Sequence, residues 1–364
     1  MRTASLVTVF VFFAQVVLGQ AVSSVSGSIS DDGSITISGS GFGTGATIFL
    51  WDDFDDDSDG TPINSASPNI GTTASWGTWD SSAEMTNTVS DIVGYGASGN
   101  SMRIPLNNGT NSTWGMAGVV NTTPTSTVYV SFNRYLRCGA SESPDNHKLT
   151  IWYGNGEGGR PQFQSPIWTG TSTAQYYNNC GNSGSWFNQF FSISWSGQRE
   201  SWHRWEWYTE LNDPYSSDND VAEFYHDLTE LYSSSSTQLR GCMTEDADWD
   251  EFDFGQYTNS DAAYDSLINY FDDIIVQSSR ARVELGDNSS WASCTVRDYQ
   301  PHTSWSATEI TVTVNQGSFA EDDAAYLFVV DADGNVSDGY AVTIGASESA
   351  SITAPTSLTA NKVE

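Results

Sequence analysis

Residues Trp202–Leu211 alternate between two sets of side chains, which is the period of a β-strand. One set reads as the side facing a core: His203, Trp205, Trp207, Thr209 and Leu211. The other set mixes aromatic, basic and acidic groups: Trp202, Arg204, Glu206, Tyr208 and Glu210. Aromatic rings stack on the apolar C–H faces of pyranose sugars, and charged groups bond sugar hydroxyls. This second face therefore has the residue types of a sugar-contacting surface.

The stretch Thr127–Cys138 alternates in the same way, with an apolar set opposite a polar and aromatic set. We predict that the polar faces of both strands line one groove. The predicted ligand-binding residues are Asn133, Tyr135, Arg137, Trp202, Arg204, Glu206 and Tyr208. The alternative is that each Arg–Glu pair is only a structural cross-strand contact on a solvated sheet.

The same residue types also suit a polysaccharide lyase. Removing the proton beside a uronate carboxylate requires that this carboxylate be neutralised, commonly by Arg and an amide, and that a Tyr or His base lie nearby. For such an enzyme the candidate catalytic residues are Arg137, His147, Arg204 and Tyr208. They do not form the spaced strand motifs expected of an alginate-lyase-like family, so a lyase ranks second to a binding protein.

A glycoside hydrolase needs two carboxylates at a set separation. Glu251-Phe252-Asp253-Phe254 alternates like the E-x-D-x-x-E strand of laminarinase-like jelly rolls. Gln256 stands where that motif has its second glutamate, which removes one of the two carboxylates. The match is best explained as a coincidence in an acid-rich segment, so a hydrolase ranks below a lyase.

An acidic loop predicts a calcium site. Residues 55–60 read D-D-D-S-D-G, which fits the D-x-D-x-D-G half of a calcium loop, but Ala66 replaces the acid expected at its twelfth position. Jelly rolls also often hold calcium between their first and last strands. We therefore expect a structural calcium ion bound by Asp53, Asp55, Asp57, Asp59 and Asp272, with Asp273 as an alternative to Asp272. The alternative is an ordinary acidic loop.

The charge balance limits which partners the protein can bind, and the N-terminal sequence predicts where it is located. Its 45 acidic against 13 basic residues give a net charge of −32, which repels phosphate backbones and argues against nucleic acid as a partner. The N-terminal sequence has Met1-Arg2-Thr3, an apolar run from Ala4 to Leu18 and then small residues, which predicts a signal peptide cleaved after Gly19 or Ala21. This run is shorter than the roughly 20 apolar residues that a membrane-spanning helix needs, and no later stretch could span a membrane. We expect a secreted protein, extracellular or at a cell surface.

Four cysteines lie far apart in the sequence: Cys138, Cys180, Cys242 and Cys294. None forms a metal-type C-x-x-C pair. Export makes disulfides plausible, and four cysteines allow three pairings between which the sequence does not choose. Unpaired buried thiols are the alternative.

Two segments at opposite ends of the chain both consist of alternating, strand-like residues with glycine-containing turns. ITISGSGFGT, at residues 35–44, is an alternating strand followed by a glycine-rich turn. WSATEITVTV and FVVDADGNVSDGYAVTI, between residues 305 and 344, alternate cleanly and carry Asp-Gly turn signals. These strings resemble the opening and closing halves of an IPT/TIG-type immunoglobulin-like domain. The resemblance implies one split domain, from residues 22–50 and 279–345, whose early and late strands pair in one sheet.

The intervening residues 51–278 have a signature of their own. They open with WDDF, contain WHRWEWYTEL and VAEFYHD, and close with YFDDIIV. These motifs resemble concanavalin-like jelly rolls, a superfamily of laminin-G-like modules, lectins, glycoside hydrolases and polysaccharide lyases. The resemblance concerns architecture and implies little about chemistry. Residues 1–20 read as the signal peptide and residues 346–364 as a linker or disordered tail.

These features predict an all-β protein, with a jelly-roll β-sandwich inserted into a small immunoglobulin-like β-sandwich. The leading functional hypothesis is a secreted carbohydrate-binding or adhesive protein that contacts a polysaccharide or a cell-surface glycan. The alternatives are a jelly-roll polysaccharide-degrading enzyme and a purely structural component of a surface or appendage.

Overall fold

The computed structural model describes residues 19–71, 76–80, 87–96, 99–105, 113–139, 147–155, 162–168, 173–179, 188–193, 196–240, 246–258 and 267–348. Strands make up 56% of the chain and helix 3%, which confirms the predicted all-β class. The predicted signal peptide, the predicted tail from residue 349 onward, Cys180 and Cys242 lie outside the described residues. Among the described residues no helix is long and apolar enough to cross a membrane.

Twenty-five strands and three short 3-10 helices account for the described secondary structure. The first thirteen strands are β1 (Ala21–Ser28), β2 (Ser34–Ser40), β3 (Ile48–Asp52), β4 (Ile70–Gly71), β5 (Gly77–Asp80), β6 (Thr88–Ser90), β7 (Ser101–Pro105), β8 (Thr113–Thr125), β9 (Thr127–Arg137), β10 (His147–Gly154), β11 (Gln162–Trp168), β12 (Thr173–Asn179) and β13 (Asn188–Ser192). The remaining strands are β14 (Trp202–Glu210), β15 (Asp220–His226), β16 (Thr229–Thr237), β17 (Trp249–Thr258), β18 (Ile268–Gln277), β19 (Arg282–Gly286), β20 (Arg297–Gln300), β21 (His302–Trp305), β22 (Glu309–Thr313), β23 (Ala324–Val330), β24 (Tyr340–Thr343) and β25 (Ser347–Glu348). The 3-10 helices are Ile63–Ser65, Ser196–Gln198 and Trp291–Ser293.

Two large sheets form the first sandwich. The nine-stranded sheet has the order β16-β15-β14-β9-β18-β3-β4, with β7 beside β18 and β6 beside β7, and the seven-stranded sheet has the order β13-β12-β11-β10-β17-β8-β5. Their facing sides share one core, in which Phe132 and Trp152 each pack edge-on against Trp207. Trp205 lies in the same core, so the apolar sets of β9 and β14 face inward as their alternation predicts.

Two smaller sheets form the second sandwich. The five-stranded sheet has the order β21-β22-β2-β1-β25 and the four-stranded sheet the order β20-β19-β23-β24. The N-terminal β2 pairs with β22 from Ser34 opposite Thr313 to Ser38 opposite Glu309, so the predicted pairing of the chain's early and late strands is confirmed. The strand β3 begins at Ile48, ahead of the predicted boundary at residue 51, and belongs to the large sandwich. Membership of the IPT/TIG family remains a prediction.

The chain passes between the sandwiches at two points that lie side by side. The backbone N–H of Thr47 donates to the Ser278 hydroxyl at 2.8 Å, and the N–H of Ser278 donates to the Thr47 carbonyl at 3.0 Å. The outgoing and returning segments are thus hydrogen-bonded to each other, as an insertion with adjacent ends requires.

The four-stranded sheet packs on the outer face of the nine-stranded sheet. A separate apolar cluster marks this contact and consists of Ile48, Trp51, Tyr129, Tyr208, Ile275 and Tyr299. Within it the rings of Trp51 and Tyr299 lie 5.3 Å apart, and the Tyr299 hydroxyl donates to Gln277 Oε1 at 2.7 Å. The face on which the sequence places the polar residues of β9 and β14 is therefore largely covered by the small sandwich.

Candidate functional site

The side chains of Arg204, Glu206 and Tyr208 leave β14 on the side opposite the core, as predicted. The register places them beside Asn133, Ser131 and Tyr129 of β9, respectively. All three are buried, with exposed fractions of 9%, 3% and 4%. The sequence predicts an open groove here, and that part of the prediction needs correction. Strand alternation shows which way a side chain points, whereas the wall that covers it comes from β19 and β20 of the small sandwich.

Arg204 forms the centre of an ion-pair network between the sandwiches. Its Nη2 lies 2.9 Å from Glu284 Oε1 and 3.2 Å from Glu206 Oε2, and its Nη1 donates to the carbonyl oxygen of Arg297. Burial alone would raise the pKa of Glu284, but the guanidinium groups of Arg204, Arg282 and Arg297 outweigh it and hold that pKa well below its ordinary value. Arg204 is thus occupied by structural partners, as the alternative interpretation of this face expected.

A first cleft of about 240 Å³ opens beside this network. Its lining includes aromatic rings from both sandwiches together with acidic and basic groups: Tyr129, Glu206, Tyr208, Tyr225, Arg280, Arg282, Trp291 and Arg297. Arg280 forms a bidentate pair with Glu223 and lies 3.5 Å from the ring centroid of Tyr208. The cleft therefore joins two predicted residues, Glu206 and Tyr208, to a wall that comes from the other sandwich.

Arg297 is the notable member of the first cleft. Only 6% of it is exposed, and its guanidinium carbon lies 3.5 Å from the ring centroid of Trp291. Its Nε and Nη1 form no hydrogen bond with any part of the chain that the structure describes. The nearest acidic oxygens are 3.6 Å from Nε, in Glu284, and 3.9 Å from Nη2, in Glu206, which is too long for hydrogen bonds. Two buried donors of Arg297 thus lack an acceptor among the described residues.

A second cleft of about 350 Å³ lies further along the same face. Its lining includes Tyr95, Asn133, Trp202, His203, Arg204, Asp227, Val296 and Arg297. The Trp202 ring packs 5.6 Å from both Tyr95 and Tyr135, and its Nε1 donates to the Gly94 carbonyl at 3.1 Å. Asn133 Nδ2 donates to Asp273 Oδ2 at 3.2 Å. Three predicted residues, Asn133, Trp202 and Arg204, therefore line this cleft.

The remaining predicted residues stand apart from the clefts. The Tyr135 hydroxyl donates to Glu200 Oε2 at 2.8 Å, and burial together with this bond raises the pKa of Tyr135 to about 12. Arg137 is exposed and pairs in register with Ile268 at the far end of β9. Since a strand rises about 3.3 Å per residue, Arg137 is roughly 13 Å along β9 from Asn133, the partner of Arg204. Neither Tyr135 nor Arg137 is among the residues that line the two clefts.

The four residues proposed for a lyase are not brought together as a set. Arg204 is held by carboxylates of the chain and Arg137 lies at the other end of its strand. The Tyr208 hydroxyl donates to Glu210 Oε2 at 3.2 Å, and burial raises the pKa of Tyr208 far above its ordinary value, which disfavours the phenolate that a base requires. The side chain of His147 lies outside the described residues.

The hydrolase motif lies on the other large sheet. Glu251 and Asp253 are neighbours on one face of β17, opposite Tyr153 and Ile151 of β10, with exposed fractions of 6% and 3%. The Asp253 carboxylate lies over Gly118 of β8, where a side chain would collide with it. The side chain of Gln256 lies outside the described residues.

The predicted calcium residues lie in one region but do not converge. Burial raises the pKa of Asp53 to about 6, and burial together with the Asp273 charge raises that of Asp272 well above its ordinary value. Asp55 accepts a hydrogen bond from the Asn100 N–H at 3.0 Å, and Asp59 accepts one from the Asp91 N–H at 3.3 Å. Among the described residues, three acidic oxygens of the set Asp53, Asp55, Asp57, Asp59 and Asp272 do not all lie within 4.8 Å of one another. Their hard oxygens suit calcium in chemistry, but binding would require them to move closer.

Sequence reasoning missed the wall contributed by the small sandwich: Arg282, Glu284, Trp291 and Arg297. A signal was available in the distribution of basic residues. Three of the 13 basic residues fall between positions 280 and 297, in a chain where such residues are scarce. It also missed Asp298, a buried carboxylate that accepts from the Tyr95 hydroxyl at 2.8 Å.

No family model and no curated protein matches this chain. Solved structures are similar to it at low identity. An endo-β-1,4-glucuronan lyase from the fungus Trichoderma reesei is 12% identical with a TM-score of 0.41, covering 56% of this chain and 90% of that one. The cellulose induced protein Cip1 is 14% identical with a TM-score of 0.41, over 63% of this chain and 97% of that one. An endo-1,3-β-glucanase from Streptomyces sioyaensis is 9% identical with a TM-score of 0.41, over 64% and 96%. Likenesses this distant carry no information about the chemistry of this chain.

Proposed function

We propose that this protein is a secreted glycan-binding protein whose first cleft holds an acidic sugar. The observation that carries the proposal is Arg297, a buried guanidinium with two N–H groups that lack acceptors within the described residues. Leaving such a donor unsatisfied costs about 1–3 kcal/mol, and more for a charged group. A carboxylate or a sugar hydroxyl in the cleft would supply the missing acceptors once the Arg297 side chain turns toward it. Export to an extracellular or cell-surface location is part of the proposal and is motivated by the N-terminal sequence.

The surroundings of Arg297 support an oriented interaction. Its guanidinium stacks on Trp291, whose ring also packs edge-on against Phe328 at 5.4 Å. A planar guanidinium held flat on an indole is pre-organised, so less side-chain entropy is lost for each hydrogen bond that it forms. A hydrogen bond from a charged guanidinium N–H to a carboxylate oxygen is roughly twice as strong as one to a neutral acceptor, so a fixed donor of this kind favours a carboxylate over a hydroxyl.

The rest of the lining suits a sugar ring. Tyr225 offers an aromatic surface, and Glu206 has one carboxylate oxygen, Oε1, that accepts no hydrogen bond from the described residues. Carboxylates accept hydrogen bonds from sugar hydroxyls, and aromatic rings cover apolar C–H faces. A volume of about 240 Å³ lies just below the usual range for small-molecule pockets. The cleft therefore suits a terminal sugar or a side branch better than a chain lying across a sheet.

Electrostatics make this cleft an exception in a strongly acidic molecule. The whole chain carries a net charge of −32, which disfavours polyanions at most of its surface. Around the first cleft, four arginines at positions 204, 280, 282 and 297 balance four acids, Glu206, Glu223, Glu284 and Asp333. An anionic sugar therefore meets a locally neutral site here, whereas the rest of this strongly acidic molecule repels it.

A structural calcium ion is included in the proposal. Asp53 and Asp272, with Asp273 beside them, would hold it where the start of the large sandwich meets its last strand. The raised pKa values of Asp53 and Asp272 are those of buried carboxylates that lack a stabilising positive charge, which a divalent cation would provide.

The test is a panel of neutral and uronate-containing polysaccharides and oligosaccharides, scored for binding by calorimetry and for release of unsaturated sugars by ultraviolet absorbance. We expect binding of uronate-containing ligands and at least a tenfold loss of affinity in Arg297→Gln. Arg103→Gln is the matched control, since Arg103 lies on β7 and is not among the residues that line either cleft. Unchanged affinity in folded Arg297→Gln would refute the role of the cleft, and release of unsaturated sugars would favour a lyase instead.

A further inference from the structure

Two histidines and an aspartate converge where β14 meets the turn between β15 and β16. His203 follows the first residue of β14, His226 ends β15, and Asp227 begins the turn. Asp227 Oδ2 lies 2.7 Å from His203 Nδ1 and 3.5 Å from His226 Nδ1. The two imidazole rings are nearly parallel, with centroids 5.2 Å apart. Within the described ranges, this is the one group of three His, Cys, Asp or Glu residues whose ligand atoms all lie within 4.8 Å.

The outer nitrogens of both rings already have hydrogen-bonding partners. His203 Nε2 lies 2.8 Å from the Gly197 carbonyl oxygen, which can only accept, so Nε2 carries the proton. His226 Nε2 lies 3.0 Å from Gln198 Nε2 and 3.3 Å from Gln198 Oε1, and a flip of this amide lets its oxygen accept from the ring. Histidines that bind metals typically donate their other N–H to a carbonyl or carboxylate, which orients the ring. Both Nδ1 atoms are thereby directed at Asp227.

The carboxylate is oriented too. Asp227 Oδ1 accepts from the backbone N–H of Arg204 at 3.1 Å, which leaves Oδ2 as the oxygen between the two rings. Asp227 and Leu228 have φ values of 46° and 62°, the left-handed pair of a two-residue hairpin turn. Since 46% of the Asp227 side chain is exposed, this carboxylate has room to adjust.

We propose that His203 Nδ1, His226 Nδ1 and Asp227 Oδ2 bind one divalent transition-metal ion, with Zn²⁺ as the best match. Tetrahedral zinc with bonds of about 2.0–2.1 Å separates its ligand atoms by about 3.3–3.4 Å. The 3.5 Å distance from His226 Nδ1 to Asp227 Oδ2 already has that value, whereas the 2.7 Å distance from His203 Nδ1 must lengthen by roughly 0.6 Å. Two imidazoles and one carboxylate are a donor set that zinc uses with a fourth, open position.

The charge state of the group is compatible with a cation. The His226 side chain is only 14% exposed, and burial favours the neutral imidazole, which is the form that binds metals. Asp227 supplies one negative charge. The buried Arg134, opposite His203 in register, adds a positive charge that works against the ion. The competing arrangement without metal is a His203 imidazolium paired with the Asp227 carboxylate.

The open coordination position of the ion would face the second cleft. His203 and Asp227 line the second cleft together with Trp202, Arg204 and Asn133. A bound ion would link the hairpin turn to the start of β14 and would leave a position for water or for an oxygen of a ligand in that cleft. This inference does not depend on the proposed role of the first cleft.

The test is titration of the full chain with Zn²⁺ after treatment with a chelator. Millimolar Ca²⁺ and Mg²⁺ are kept present so that carboxylate-only sites are occupied. We expect one ion per chain with a dissociation constant of about 1 μM or lower, and a Co²⁺ derivative whose visible absorption shows nitrogen ligation. Loss of a group that hydrogen-bonds a metal ligand costs about 10–100-fold in metal affinity, so loss of a direct ligand in Asp227→Asn or His226→Gln should cost at least 100-fold.

Folding is controlled in two ways. Asn is favoured in left-handed turn positions, so Asp227→Asn keeps the turn while removing the charged ligand. His302→Gln is the matched control, since His302 lies in the small sandwich and pairs through Nε2 with the Ala46 carbonyl at 3.0 Å. Absence of a single site in the wild-type chain would overturn the proposal. Zinc affinity that survives in folded Asp227→Asn and His226→Gln would also overturn it, as would a Co²⁺ spectrum without nitrogen ligands.

Discussion

Replacing Glu284 with Gln should destabilise the protein by about 3–5 kcal/mol, which is the usual cost of removing one partner from a buried ion pair. Glu284 is fully buried, and three arginines lie around it. Its Oε1 lies 2.9 Å from Arg204 Nη2, Arg282 Nε donates to the same oxygen, and its Oε2 lies 3.6 Å from Arg297 Nε. Glutamine keeps the shape and removes the charge, so among the described residues the three guanidinium groups retain Glu206 as their ion-pair partner within 4.0 Å.

The matched control is Glu223→Gln at the same contact between sandwiches. Glu223 also pairs with an arginine, Arg280, but the two side chains are 19% and 18% exposed. Exposed and half-exposed pairs contribute about 0–1 kcal/mol. Urea unfolding of both variants, followed by tryptophan fluorescence, measures the two costs side by side. Equal costs in Glu223→Gln and Glu284→Gln would refute the argument from burial.

The pH dependence gives a second check on Glu284. Because its folded-state pKa is depressed, the stabilisation is complete above the ordinary value of 4.5 and is lost as pH falls below it. The difference between the wild type and Glu284→Gln should therefore be constant between pH 6 and 8 and should narrow in acid. A difference that stays constant down to pH 3 would show that charge is not its source.

Three further predictions concern the acidic region and two glycines. In calcium-free protein, the raised pKa of Asp53 stabilises the fold below pH 3.8, and this contribution is lost as pH rises through about 6, so Asp53→Asn should gain stability relative to the wild type over that range. Calcium should cancel this gain in melting experiments, and identical melting with calcium and with chelator would reject the ion. Gly118→Ala should cost about 1–3 kcal/mol in urea unfolding, because a methyl group would collide with the Asp253 carboxylate. Gly96→Ala should cost more than about 2 kcal/mol, since Gly96 has φ +63° and its new methyl group would strike the Gly317 carbonyl of the small sandwich. A wild-type melting temperature in Gly96→Ala would show that the loop around Gly96 does not contact the small sandwich closely.

The faces of β9 and β14 could be predicted from the sequence, because a period of two leaves little freedom once Trp205 and Trp207 must be buried. The pairing of β2 with β22 was accessible for a similar reason, since both strands alternate cleanly at the two ends of the chain. The residues that cover the outer face of β9 and β14 could not be predicted from the sequence. Glu284 and Arg297 come from distant strands, and no local period shows that they dock on Arg204.

In the candidate sites, too, some residues could be predicted from the sequence and others could not. Glu206 and Tyr208 were identified by residue type, but Arg297, which carries the proposed function, stands alone at the start of β20 with no alternating pattern of its own. His203 reads as a core residue from its strand, and its partner Asp227 belongs to a turn whose left-handed geometry brings the carboxylate back to the ring. The calcium residues were identified by charge density, and the distances between their oxygens depend on backbone turns that composition does not determine.

The paired crossing of the chain at Thr47 and Ser278 also has a mechanical consequence. The first and last described strands, β1 and β25, are hydrogen-bonded neighbours in the small sandwich. A pulling force applied between residues 20 and 348 would therefore load the small sandwich first. The large sandwich would carry no load as long as the hydrogen bonds between Thr47 and Ser278 remain intact. Tension would thus unravel the small sandwich and spare the cores of the two large sheets, while removing the wall that Arg297 and Trp291 contribute to the first cleft.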